Sequence, residues 1–249
     1  MLNNFKVYVI NLKRDTKRLE NIKNELKKQN IYNFEIIQGI DGKKIKNYQL
    51  NNLISKNYKF INPQNTNMNA SEICCSLSHI KVYKKFLKTN YNYALIIEDD
   101  AIFIRNFTED LQELIIKNFK YDKQIFFLSE LWEFFKNPID KSKNFEVVSV
   151  ANVVFGHSYF INKNAAKALI SFNYPVKTMP DNFMVFKIYC GIKLTGLNPY
   201  LTKQNRKQFK SNIPIDNMLN NIFLIRRFVY RLINKFLRLS GQFKSHKRN

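Results

Sequence analysis

The sequence predicts an α/β fold, a sheet covered by helices, on three observations. Short β-rich apolar runs alternate with segments of helical periodicity from residue 5 to about residue 201. The 249 residues suit one α/β domain, or one domain with an appendage. No internal repeat and no low-complexity linker interrupts the chain before residue 205.

The elements follow in order. FKVYVINL (5–12) is a β-rich apolar run and reads as a buried first strand. Asp15 or Thr16 can cap a helix running to about Gln29, with Leu19, Ile22 and Leu26 at helical spacing. NFEIIQGIDG (33–42) reads as a second strand ending in an Asp-Gly turn. Residues 47–68 are Asn-rich and weakly patterned, expected as a short helix and a loop. Residues 71–90 predict a strong helix with an apolar stripe of Ile73, Leu77, Ile80 and Leu87. Glu72, Ser76, His79 and Tyr83 lie one above another on a different face, which reads as either solvated or lining a site. A strand at 93–97, a helix at 108–118 and a buried strand at 124–129 come next. Strand-like runs fill 145–161, helices are expected at 164–172 and 181–191, and KLTGLNPYL (193–201) reads as a last strand.

The chain carries 41 Lys and Arg against 19 Asp and Glu, a formal net charge of +22. Such a surface attracts polyanions: nucleic acid, an anionic membrane face or a phosphorylated substrate. Cys74, Cys75 and Cys190 make neither a disulfide framework nor a C-x-x-C zinc pattern, so a reducing compartment is expected, with Cys75 and Cys190 as buried apolar side chains. No signal peptide and no membrane-spanning segment are evident in the sequence.

The most informative stretch is YALIIEDDAIF (93–103), an apolar strand running into Glu98, Asp99 and Asp100. Ligands of open α/β sheets sit at the carboxyl ends of strands. Three readings compete: a solvated acidic turn or helix cap, a site for Mg²⁺ or Mn²⁺ that in turn holds a diphosphate, and a set of general acids or bases. Context favours the metal, because acids are scarce here and a basic protein needs local negative charge only to hold a cation.

Three segments resemble glycosyltransferase family 25, the bacterial lipooligosaccharide galactosyltransferases. They are VYVINLKRDTKR (7–18), ASEICCSLSHIKVY through LIIEDDAIF (70–103), and GHSYFINKNAAKALI followed by PVKTMPD (156–181). The middle block is the most specific. Where the family has Gly before the helix Cys, this chain has Cys74, which adds a Cβ at a close helix contact. The resemblance implies a glycosyltransferase A type fold, a Rossmann-like mixed sheet covered by helices. It implies an inverting enzyme moving a sugar from a UDP-sugar, galactose foremost, to a lipid-linked oligosaccharide in β-1,4 linkage. On this reading Asp100 and Glu98 hold Mn²⁺ or Mg²⁺, and Glu98 or Asp99 meets the ribose or the metal's water shell.

The resemblance also implies donor-binding roles for Asn11, Arg14 and Arg18 after the first strand. His79 and Glu72 on the helix, and Gly156 and His157 further on, are expected in the same site. Asp181 matches the family's later Asp and is the candidate base, although a helix N-cap is the competing reading.

Residues 1–205 are therefore expected to form the catalytic domain, and 206–249 a basic amphipathic extension. Within 217–238, Arg227, Arg231, Lys235 and Arg238 form a basic stripe beside an apolar one. This helix is expected either to dock on its own domain or to bind an anionic membrane; membrane binding, with a cytoplasmic, inner-face location, is the favoured reading. Two other classes are weighed. A nucleic-acid-binding protein has the charge but no recognition motif, so no nucleic-acid partner is expected. A metal-dependent nuclease or phosphotransferase usually gathers carboxylates from several strands, whereas this chain offers one tight cluster.

Overall fold

The computed structural model describes residues 5–45, 50, 52–55, 68–153, 156–209, 243–244 and 246. Its strands are β1 (Phe5–Asn11), β2 (Phe34–Gln38), β3 (Tyr93–Glu98), β4 (Ala101–Phe103), β5 (Gln124–Phe127), β6 (Glu133–Phe135), β7 (Asp140–Lys141), β8 (Glu146–Asn152), β9 (Ser158–Asn162), β10 (Lys193–Asn198), β11 (Thr202–Gln204) and β12 (Phe243–Lys244). Its α-helices are α1 (Thr16–Lys28), α2 (Ala70–Phe86), α3 (Glu109–Lys117), α4 (Lys163–Asn173) and α5 (Phe183–Cys190).

The main sheet runs β12-β6-β8-β10-β5-β9-β3-β1-β2, with β7 beside β8. β1 is parallel to β2 and β3, and β10 is parallel to β5. β9 lies antiparallel between β3 and β5, so β1, β2, β3, β5 and β10 share one direction. Their carboxyl ends form a common edge, and the amino end of the reversed strand β9 joins them there. This is the mixed, helix-covered α/β sheet that the sequence predicts.

Side chains alternate between the two faces of these strands. Tyr8, Ile96, Phe127 and Tyr159 pack with Tyr83 and Phe86 of α2, Leu169 of α4 and Phe183 of α5. Val9, Leu95, Phe126 and Phe160 point the other way, onto Ile22 and Leu26 of α1 and Leu111 and Ile115 of α3. A third cluster joins Ile73, Cys74, Leu77 and Ile80 of α2 to Leu50, Met68 and Val176. The Cβ of Cys74 is thus absorbed in a fully buried apolar contact.

Helix α2 departs from the two-faced helix expected. Glu72, Ser76, His79 and Tyr83 are all buried, so the polar stripe faces protein rather than solvent. A capping box starts the helix: Asn69 Oδ1 accepts from the Glu72 amide at 3.0 Å and Glu72 Oε2 accepts from the Asn69 amide at 2.9 Å. Among the described residues, the weakly patterned strands β4, β6, β7, β11 and β12 are the elements that the periodicity does not single out.

Described residues beyond the expected boundary at 205 meet the sheet-bearing part of the chain. Asn205 donates its amide to the Asp100 carbonyl at 2.7 Å, and the Arg18 guanidinium lies 5.4 Å from the centre of the Phe209 ring. Further on, β12 pairs with β6, and His246 accepts from the Leu131 amide at 2.9 Å. The His246 ring sits 4.9 Å from both Phe134 and Tyr200. Among the described residues, 206–209, 243–244 and 246 thus lie against residues 18–205. The amphipathic stretch 217–238 lies outside the described residues, as do most of residues 47–68. Among the described residues, no helix is long and apolar enough to cross a membrane.

Candidate active site

The carboxyl ends of β1 and β3 are neighbours in register, Ile10 opposite Glu98. The turn after β3 therefore sets Asp99 and Asp100 beside the turn after β1. Asn11, the last residue of β1, donates Nδ2 to Asp99 Oδ2 at 2.7 Å. Arg18, one turn into α1, donates Nη1 to Asp99 Oδ1 at 3.0 Å and reaches Asp100 Oδ2 at 3.4 Å. Both aspartates are buried, and Asp100 Oδ1 makes no hydrogen bond to the protein. The ribbon of β4 and β11 then leads away from this turn, tied to it by the Asn205 amide.

Helix α2 covers the same edge. His79 points Nε2 at Glu98 Oε1, 3.4 Å away. On the other side of the ring, Nδ1 lies 2.9 Å from the Tyr159 hydroxyl, which lies 2.6 Å from the Tyr83 hydroxyl. Nε2 is the ring nitrogen placed to donate to the Glu98 carboxylate, and the two tyrosine hydroxyls continue the contact chain behind the ring. Burial would raise the Glu98 carboxyl, but His79, with His157 and Arg18 beyond it, holds it below its ordinary value.

Its neighbours move the other way. Burial, then the charge of Glu98, pushes the Asp100 carboxyl up to about 7, with Arg18 only partly opposing. Asp181 is pushed up to about 6 by burial and again by Glu98. Asp99 is raised by burial against the pull of Arg18 and Asn11. The Cys75 thiol is raised well above its ordinary value by burial and by Glu98, Asp181 and Asp100. Four carboxyl groups and a thiol thus share one region, with Asp99 and Asp100 buried and Glu98, Asp181 and Cys75 half-buried. A divalent cation fits such a set: it offsets like charges that the protein leaves unbalanced, and Asp100 Oδ1 is a buried acceptor with no protein donor.

Asp181 lies just before α5, and the cap position belongs to Asn182. Capping therefore does not account for Asp181. A Cβ on Gly156 would come within 2.8 Å of the Phe183 ring and 3.8 Å of the Asp181 Cβ, so only glycine lets this strand approach the start of α5. His157, the next residue, is buried, gives its carbonyl to the Glu98 amide at 2.8 Å, and has Nε2 3.6 Å from Glu130 Oε2. Burial lowers its pKa.

The structure thus brings together Asn11, Arg18, His79, Glu98, Asp99, Asp100, Gly156, His157 and Asp181. Two expected site residues have other settings. Glu72 spends Oε2 on the capping box. Arg14 pairs with Asp41 in a pocket of about 280 Å³ at the ends of β1 and β2, lined also by Lys13, Lys44 and Lys81. Tyr159, Tyr83 and Cys75 are the site residues that the sequence reading leaves out as participants. Cys75 and Tyr83 carried a usable signal, since they stand four residues before and after His79 on the same helix face.

The model of glycosyltransferase family 25, described as an LPS biosynthesis protein, matches residues 4–184. The chain belongs to glycosyltransferase family 25. The matched span contains every site residue above, through Asp181. Procollagen galactosyltransferase 2 of Homo sapiens is 28% identical over 215 residues, covering 82% of this chain and 33% of the relative. Its Mus musculus counterpart is 27% identical over 188 residues, covering 72% and 29%. This family 25 chain therefore spans about a third of the length of the curated relatives it matches. Among solved structures, a glycosyltransferase involved in glycosylation of the major capsid of PBCV-1 aligns with a TM-score of 0.36 at 11% identity, over 74% of this chain and 75% of that one. A Drosophila β-1,4-galactosyltransferase 7 mutant, in complex with manganese, UDP-Gal and xylobiose, aligns with a TM-score of 0.40 at 10% identity, over 89% and 82%.

Proposed function

We propose that this chain is an inverting glycosyltransferase that moves galactose from UDP-galactose to a lipid-linked oligosaccharide, in β-1,4 linkage, at the inner face of the membrane. The observation that carries this reading is the buried, under-neutralised carboxylate cluster at the carboxyl edge of the sheet, inside the family-matched span.

Glu98 and Asp100 are the residues to hold Mn²⁺ or Mg²⁺. Such an ion would supply positive charge to the diphosphate that leaves. Asn11 and Arg18 hold Asp99 in place and set the turn. The basic pocket of Lys13, Arg14, Lys44 and Lys81, at the ends of the adjoining strands, suits the anionic nucleotide. Asp181 removes the proton from the acceptor hydroxyl as its oxygen attacks the anomeric carbon. A carboxyl raised to about 6 is a better base than an ordinary aspartate and is still ionised near neutral pH. The stripe Arg227, Arg231, Lys235 and Arg238 supplies contact with anionic lipid.

Calorimetric titration of UDP and UDP-galactose, with and without Mn²⁺, tests the donor reading. Metal-dependent binding that disappears in Asp100→Ala supports it. No UDP binding under either condition overturns it.

A further inference from the structure

One group in the site has no part in the reaction above. Cys75 stands one helical turn before His79 on α2, and both side chains face the end of β3. The Cys75 sulfur, a His79 ring nitrogen and a Glu98 carboxylate oxygen all lie within 4.8 Å of one another. His79 is 2% exposed, and its Nε2 is aimed at this space, 3.4 Å from Glu98 Oε1.

We propose that Cys75, His79 and Glu98 form a three-ligand centre for a borderline-soft divalent cation of the zinc class. This deepens the metal reading of the donor site, because Glu98 is common to both, and it adds a thiolate that Mg²⁺ and Mn²⁺ do not seek. A sulfur, an imidazole and a carboxylate are the donor types zinc takes, with three protein ligands leaving one position open. Metal–ligand bonds of about 2.0–2.3 Å need the three donors to close by about 1 Å, within reach of side-chain rotation on Cys75 and Glu98.

The ring behind the ligand is already held. Tyr159 contacts Nδ1 at 2.9 Å and is itself held by Tyr83, the supporting arrangement that metal-binding histidines use. When the ion takes Nε2, the ring proton sits on Nδ1 and is donated to the Tyr159 oxygen. Binding breaks the Cys75 S–H bond, forms a metal–sulfur bond and releases the proton to solvent. The surrounding carboxylates, Glu98, Asp100 and Asp181, favour a dication as much as they disfavour a bare thiolate.

Titration of the full-length protein with Co²⁺ alone tests this. A near-ultraviolet thiolate-to-cobalt charge-transfer band is expected to saturate at one ion per chain and to be displaced by Zn²⁺. The band is expected to vanish in Cys75→Ser and to persist in Cys74→Ser and Cys190→Ser. Tyr159→Phe is expected to keep the band but weaken Co²⁺ binding roughly 10–100-fold. Circular dichroism of Cys75→Ser establishes that the variant is folded; if it is not, competition by Zn²⁺ in the wild type and the two control variants still decides. No band in the wild type, or a band lost equally in Cys74→Ser, overturns the proposal. UDP binding with Mn²⁺ but no cobalt band would sink this centre and leave the glycosyltransferase reading standing; a cobalt band without UDP binding would do the reverse.

Discussion

Two arginines follow the first strand, four residues apart, and each meets an aspartate. Arg14 meets Asp41 at the protein's flank, with the Arg14 side chain 28% exposed. Arg18 meets Asp99 and Asp100 under the ribbon of β4 and β11, with its side chain 10% exposed. Arg14 also lies 3.7 Å from Asp15, and at this more exposed position the guanidinium hydrogen bond holds the Asp41 carboxyl below its ordinary range. The Arg18 set is out of balance. One cation faces two aspartates with Glu98 beside them, and Asp99 and Asp100 are raised rather than lowered. The same residue types thus make a surface ion pair in one place and a buried, under-neutralised carboxylate set in the other. Burial, rather than identity, decides which, since each arginine meets two aspartates.

The comparison can be broken most severely through catalysis. Asp181→Asn is expected to retain UDP-sugar binding and to lower transfer by about 10²–10⁴-fold, the usual share of a positioned base. Steady-state transfer beside calorimetric donor binding checks this; transfer at the normal rate would remove Asp181 from the mechanism. The pH profile carries the same assignment. With the Asp181 carboxyl at about 6, transfer should rise through pH 6 as the base ionises.

Next comes Arg18→Ala. It leaves Asp99 and Asp100 buried without their cation and is expected to destabilise the metal-free protein by about 3–5 kcal/mol at pH 8. Denaturant unfolding measures it, and added Mn²⁺ should recover part of the loss. Arg14→Ala, in the exposed pair, is expected to change stability by only about 0–1 kcal/mol in the same assay. Equal losses from the two variants would erase the distinction between the sites.

The third test sharpens the sign. Asp100 has a folded-state carboxyl raised to about 7, above its value in the unfolded chain. Its contribution to stability is therefore fully present below about pH 4 and is lost as pH rises through about 7. Asp100→Asn should stabilise the metal-free protein at pH 8, by roughly 1–4 kcal/mol, and leave it unchanged near pH 4. The smallest expected effect concerns the membrane. Replacing Arg227, Arg231, Lys235 and Arg238 by Glu leaves β12 and His246 unchanged and should abolish sedimentation with anionic vesicles while leaving transfer to a soluble acceptor intact. Unchanged vesicle binding would refute the role of that stripe.

The acidic triplet was the most legible part of the site. An apolar strand that ends in Glu98-Asp99-Asp100 places those acids at a strand's carboxyl end, whatever the order of the sheet. His79 was legible as a member of a polar helix stripe, but not the burial of that stripe. Glu72 shows the reverse failure: local spacing placed it with His79, while its carboxylate closes the start of the helix. The short strands β4, β6, β7, β11 and β12 were not legible, because two or three residues carry no period of their own, and β4, β11 and β12 are held by partners about a hundred residues away. The contacts of β12 and His246 were hidden for the same reason, since they find their partners more than a hundred residues back.

By itself the sequence determined the alternation of helices and strands, the strand that delivers the acids and the family resemblance, because each of these is written in local spacing. Tertiary structure alone decided which groups share a charge environment. Asn11 and Asp99 are 88 residues apart, and His79 and Tyr159 are 80 apart. The order of the sheet joins them, by setting the ends of β1, β3 and β9 side by side. Whether a carboxylate is an ordinary surface acid or a raised, cation-seeking one depends on that proximity and on the water it excludes, and no local pattern records either.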